Sequence, residues 1–201
     1  MSVRHWARAL SGRSVEVEEP TAEETDMRVR VVYESMFGNT AAIAKAIGAG
    51  LAEYGEVEVL DVAAAAQRPE PMVDLLVVGA PTHAFGMSRA RTRRDAAART
   101  EAPVTVDIGM REWLDAALPV PPGSWAAAFC TKAAKPSWLP GSAARGAGKR
   151  LRRLGYELID APADFLVDGT LGPITAGELE RARAWADRLA HRELDHIAHR
   201  P

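Results

Sequence analysis

A single cysteine, Cys130, stands in 201 residues, so no intramolecular disulfide can form, and neither a CxxC pair nor a zinc-type Cys/His spacing occurs. A reducing, cytoplasmic setting is therefore expected. No run approaches the roughly 18 apolar residues of a membrane helix, and the start of the chain lacks the apolar core of a signal peptide. A soluble chain without a membrane span follows as an expectation. Neither sign of charge dominates: 25 Lys and Arg stand against 27 Asp and Glu, a net charge of −2 that implies neither a nucleic-acid nor a membrane partner. A Gly-x-Ser-x-Gly elbow and a GxxxxGK[ST] loop are both missing, which weakens hydrolase and NTPase readings. No repeat appears at a period of 20 to 50 residues. What remains is an ordinary globular composition, 47% hydrophobic and 26% charged, at the length of one domain.

The chain divides into an extension, a domain and a tail. Residues 1–26 pair a basic start, RHWARALSGR, with an acidic stretch, VEVEEPTAEETD, and hold neither period for long; they are expected to be a flexible extension. The domain is expected over 27–192, with 193–201 as a tail. RVRVVYE reads as a first strand, EVEVLDV (56–62) as a second, and the continuous apolar run VDLLVVGAP (73–81) as a third, buried on both faces. SWAAAFCTK (124–132) is a fourth and YELIDAPADFLV an interrupted fifth. Between them lie helices: one from Asn39 or Thr40, a short AAAAQ connection, a basic loop and helix, IGMREWLDAAL, and GSAARGAGKRLRRLGY ended by Gly155. GELERARAWADRLAHREL closes the chain with Ala182, Trp185, Ala186 and Leu189 on one face. Five βα units of this kind build an open, mostly parallel sheet with helices on both faces, which binds ligands outside the carboxyl ends of its strands.

One strand end carries chemistry. In VVYESMFGNTAAIAKAI (31–47) a strand runs through a small-polar loop straight into an alanine-rich helix. Such a turn aims backbone N–H groups and the positive end of a helix dipole at one spot, with the hydroxyls of Ser35 and Thr40 beside them. That is a phosphate cradle.

The same 17 residues resemble the flavodoxin FMN-phosphate signature at every specified position: two aliphatics, an aromatic, Ser35, Gly38, Thr40, Ala44 and Ile47. The resemblance extends over most of 28–189 and implies the flavodoxin-like three-layer α/β fold, a five-stranded parallel sheet of order 2-1-3-4-5. The SMFGNT loop looks like that of stand-alone flavodoxin-domain proteins and of the flavodoxin module of flavodiiron proteins. By this resemblance Ser35, Met36, Phe37, Gly38, Asn39 and Thr40 would wrap the FMN phosphate. Pro81, Thr82, His83, Ala84, Phe85 and Gly86 would line the flavin ring after the third strand. Cys130, Thr131, Lys132 and Trp138 would do so after the fourth. Phe37 stands where many flavodoxins have threonine, and the second ring loop lacks the acid-flanked aromatic of the electron carriers.

Five arginines against Asp95 in 81–100, and seven basic residues without an acid in 130–153, predict an electropositive ligand face. The bland reading is solvated helix surfaces; the sharper one is an acidic or anionic partner, protein or small acceptor, or NAD(P)H. Trp113, Trp125 and Trp185 read as core. HRELDH (191–196) mimics an iron-ligand spacing of flavodiiron enzymes but falls on a helix end, and no metal is expected. Response-regulator receivers share the sheet order, yet the position of their phospho-acceptor aspartate reads Gly79-Ala80-Pro81-Thr82. The leading expectation is FMN-dependent electron transfer, with no residue singled out as catalytic. An FMN-dependent NAD(P)H:quinone-type oxidoreductase, and a flavin-free interaction module of the same fold, are the alternatives.

Overall fold

The computed structural model describes residues 27–68, 72–101, 104–134 and 141–199, so the expectations for the extension at 1–26 and for Trp138 lie outside the described residues. The chain alternates strand and helix: β1 (Met27–Tyr33), α1 (Asn39–Leu51), β2 (Gly55–Asp61), α2 (Val62–Ala66), β3 (Leu75–Pro81), α3 (Ala90–Ala97) and α4 (Met110–Ala116). β4 (Trp125–Ala133), α5 (Ala143–Leu154), β5 (Glu157–Leu158), β6 (Ala163–Val167) and α6 (Glu178–Ala198) complete it. All pairings between strands are parallel, in the order β2-β1-β3-β4-β5, with β6 also on β4.

β5 pairs with the start of β4 and β6 with its end, so together they are one fifth strand broken at 159–162, where the sequence Ile-Asp-Ala-Pro interrupts the ladder. Proline supplies no N–H to a sheet, which explains the break. β2 begins at Gly55, one residue before the expected start. α6 runs on to Ala198, through most of the segment expected as a tail.

Successive residues of the central strands face opposite layers. Val29, Val31, Leu75 and Val77 pack with Ile43, Ile47, Leu51, Phe129, Phe165, Trp185 and Leu189 under α1 and α6. Val32, Leu76 and Val78 pack with Met110, Leu114 and Leu151 under α2, α4 and α5. Two cores on one sheet explain why β3 is a continuous apolar run and not an alternating one. Trp185 is buried as expected, while Trp113 and Trp125 are partly buried at the margins of the cores. Gly155 ends α5 in the left-handed region, φ 100°, as its place after the helix predicts.

Candidate functional site

The carboxyl ends of β1, β3, β4 and β6 meet on one side of the sheet. After Tyr33 the chain turns to Gly38, whose φ of 83° is left-handed, and α1 starts at Asn39. A Cβ there would meet open space, so glycine answers to the backbone angle alone. Met36 is buried and pins the loop. The Ser35 hydroxyl accepts from Ala41 N at 3.2 Å, and Ala42 N donates to Gly38 O at 2.9 Å. Among the described residues no acceptor meets the amides of Met36, Phe37, Gly38, Asn39 or Thr40. Five backbone donors without an acceptor among the described residues thus stand at the positive end of a 13-residue helix, where an anion is favoured.

Two contacts fix this loop to its neighbours. The Thr40 and Thr131 hydroxyls lie 2.7 Å apart in the interior, tying the head of α1 to β4. The Asn39 side-chain amide donates to Leu171 O at 3.0 Å, which brings the segment after β6 against the loop.

The loop after β3 forms a tight hairpin turn. His83 N donates to Gly86 O at 2.7 Å and Gly86 N returns to His83 O at 2.9 Å. The two central residues, Ala84 and Phe85, both have positive φ, 42° and 71°. A turn of this shape favours glycine and asparagine, so alanine and phenylalanine hold it under strain of the order of 1–3 kcal/mol each. Phe85 is 56% exposed at its tip. Gly141 closes from below with φ 105°; a Cβ on it would reach within 2.2 Å of Phe85 O.

These loops enclose a cavity of about 340 Å³. Met36, Phe37, Asn39, Thr40, Pro81, Thr82, His83, Ala84, Phe85, Thr131 and Lys132 all line it. Ser35 and Gly38 line an adjoining groove instead, while Gly86 and Cys130 line neither. Val167, Gly169 and Thr170 also line the cavity and escaped the sequence reading. The end of the interrupted fifth strand and its Gly169–Gly172 spacing were the available signal.

Charge in the cavity is more muted than the sequence suggests. Lys132 Nζ donates to Asp164 Oδ2 at 2.8 Å, and Ser142 donates to Asp164 Oδ1 at 2.6 Å. Burial would raise the Asp164 carboxyl, but hydrogen bonds from Lys132, Ser142 and Cys130 hold it below the usual range. Cys130 is fully buried in the second core; burial, then the Asp164 charge, push its thiol up. It stays a protonated packing residue. Burial, with help from the Arg93 charge, lowers His83, so this cavity wall presents a neutral imidazole at neutral pH.

Behind the site lies a polar knot. Glu34, at the end of β1, accepts from the Ser88 hydroxyl and, at 2.8 Å, from Met110 N at the start of α4. Arg93, with 0% exposure, donates to Ser88 Oγ at 3.1 Å, Glu112 Oε2 at 3.0 Å and Val106 O at 2.9 Å. Burial raises the Glu34 carboxyl; the two hydrogen bonds and the Arg93 charge offset part of that. Arg93 is thus no part of a solvated basic face. It staples α3 and α4 to the first strand end and holds the base of the β3 loop.

The sheet order and the loops at its carboxyl ends define a flavodoxin-like α/β fold. Residues 31–105 match the flavodoxin family model, and that segment contains the loop after β1, the β3 hairpin and, of the knot, Glu34, Ser88 and Arg93. Among solved structures, a flavodoxin from the domain Archaea is similar at TM-score 0.57 and 22% identity, over 84% of this chain and 99% of that one. Flavodoxin 1 from Bacillus cereus is similar at TM-score 0.56 and 18% identity, over 87% and 99%. The Flv1 flavodiiron core from Synechocystis sp. PCC6803 gives 0.55 and 15%, over 85% of this chain and 36% of that one. No curated protein sequence matches the chain.

Proposed function

We propose that the chain binds FMN non-covalently and serves in electron transfer. The observation that carries this reading is the set of five amides at the head of α1 without acceptors among the described residues, four of them on residues that line a cavity of the size that ligand pockets take. Ser35 to Thr40 would hold the phosphate through backbone N–H groups, so the phenyl ring of Phe37 costs the cradle one hydroxyl and no amide. Pro81, His83, Phe85 and Thr131 would hold the ring, and the exposed Phe85 marks its open edge. FMN, when bound, supplies one- and two-electron redox chemistry.

The partner in this reading is acidic. Among the described residues Arg89, Arg91, Arg94 and Arg99 around α3, and Arg145, Lys149, Arg152 and Arg153 on α5, make no ion pair, and outside this layer only Lys45, Arg183 and Arg188 share that state, whereas Arg28, Arg30, Arg68, Arg181 and Arg192 are paired. Unpaired cations gathered on the layer that carries the β3 hairpin would steer a negatively charged surface toward the cavity.

The test is the visible spectrum of the purified protein after FMN addition and desalting, followed by titration with FMN and with riboflavin. Retained bands near roughly 375 and 450 nm, and FMN binding at least about 100-fold tighter than riboflavin, are expected from a site whose donors meet phosphate. Equal affinity for the two flavins would remove the cradle. NAD(P)H oxidation without a protein partner would move the reading to a reductase.

A further inference from the structure

The phosphate loop has a second open side. Beyond Met36 and Phe37, which line both spaces, a groove of about 540 Å³ runs over the ends of β1 and β2. It is bounded by Tyr33, Phe37, Asp61, Arg99, Thr105 and Leu171. Because β2 flanks β1 on the side away from β3, this groove and the cavity described above lie on opposite sides of the same loop.

Its chemistry is mixed in a particular way. Asp61 ends β2 in register with Tyr33. Its Oδ1 caps α2, accepting from Ala63 N at 2.8 Å and Ala64 N at 3.0 Å, while Oδ2 meets no donor among the described residues. The cap fixes the carboxylate and leaves one oxygen to accept from a ligand. A carboxylate at the end of the strand beside a phosphate loop is well placed for ribose hydroxyls in open α/β sheets. Arg99 donates its backbone N–H to Ala96 O at 2.9 Å, while its guanidinium meets no acceptor among the described residues and is available to an anion. Tyr33 and Phe37 offer aromatic surface to a base.

We propose that this groove is a subsite for an adenosine 5′-phosphate group, with the base against Tyr33 and Phe37, the ribose on Asp61 and phosphate oxygens on Arg99. Two molecules carry that group to a flavin site: FAD, spanning both sides of the loop, and a nicotinamide dinucleotide bound beside FMN. The subsite shares Phe37 with the loop, while Asp61 and Arg99 line the groove alone, so its test through Arg99 stands apart from the FMN reading.

ADP is the probe, titrated by calorimetry into the apoprotein and into FMN-treated protein, alongside FAD and FMN titrations. The variants are Arg99→Ala and Thr105→Trp, the latter to fill the groove from an exposed position; their melting curves and FMN affinities are expected to match the parent. ADP binding with Kd below about 1 mM, weakened at least about tenfold by both variants, is expected. Binding to FMN-treated protein assigns the group to a separate dinucleotide. Binding to apoprotein alone, with FAD at least about tenfold tighter than FMN, assigns it to FAD. Absence of ADP binding to both forms, or binding that neither variant changes, overturns the subsite. Should FMN fail to bind while ADP binding keeps its dependence on Arg99, the cofactor reading falls and the subsite stands.

Discussion

Two polar regions border the end of β1 and treat their hydrogen-bonding groups in opposite ways. The loop after β1 leaves five amides without acceptors among the described residues, facing the cavity and the adjoining groove, while the knot around Arg93, just behind it, joins a buried guanidinium, a buried carboxylate and a buried hydroxyl to one another. Polar groups cost free energy when they are left unpaired away from water. The knot therefore works within the fold, and the loop is finished only by something from outside. The contrast separates residues that hold the site from residues that form it.

The largest expected effect comes from breaking the knot. Arg93→Met leaves Glu34 buried without its neighbouring cation and strips Ser88, Glu112 and Val106 O of a donor, which predicts a loss of about 3–5 kcal/mol. Urea unfolding measures it. FMN affinity, read under conditions where the variant is folded, should change far less than stability. In the loop the balance reverses. Gly38→Ala meets no steric contact and costs about 1–2 kcal/mol through its positive φ, yet a shifted loop misdirects its amides, so a fall of tenfold or more in FMN affinity is expected.

The β3 hairpin sharpens the comparison further. Phe85→Gly relieves a positive φ of 71° and should leave stability unchanged or raise it by up to about 1 kcal/mol, while FMN binding weakens several-fold through loss of the ring. A variant that melts lower and binds FMN as before would show that the turn serves packing and not the ligand.

How much of this could be read from the residues follows from how local each feature is. VVYESMFGNTAAIAKAI carries its meaning within 17 residues, because a strand end, a turn and a helix head are all encoded there. The continuous β3 run and Gly155 at the end of α5 are legible for the same reason, and the break at Ala161-Pro162 told where the fifth strand would divide. The pairing of Glu34 with the Arg93 group is different: it joins residues 59 positions apart, from 93 minus 34, through folding alone. Within RARTRR nothing distinguishes Arg93 from the other three arginines, although it alone of the four is buried. Ala84 and Phe85 were equally opaque, since a turn of their shape is signalled by glycine or asparagine and neither is present. The pairing of Lys132 with Asp164 is likewise invisible along the chain, since the sheet brings them together. The second groove depends on β2 lying next to β1, which the family resemblance implied and the alternation of strand and helix alone does not fix.

The two carboxylates give the smallest and most direct contrast. Asp164 is held below its ordinary value of 3.8 and Glu34 above its ordinary value of 4.5. The depressed carboxyl contributes stability that is present above about pH 3.8 and is lost as pH falls through its lower native value. The raised carboxyl does the reverse: its contribution is present below about pH 4.5 and is lost as pH rises through its higher native value. Asn at 164 and Gln at 34 remove these titrations while keeping shape. Asp164→Asn should therefore fall further behind the parent in urea midpoint as pH rises from about 3 to 7, and Glu34→Gln should gain on it from about 4 to 7. Curves of the same sign for both would mean that Glu34 is held charged by Arg93 more strongly than burial opposes, and the knot would then be an ion-pair network in function as well as in geometry.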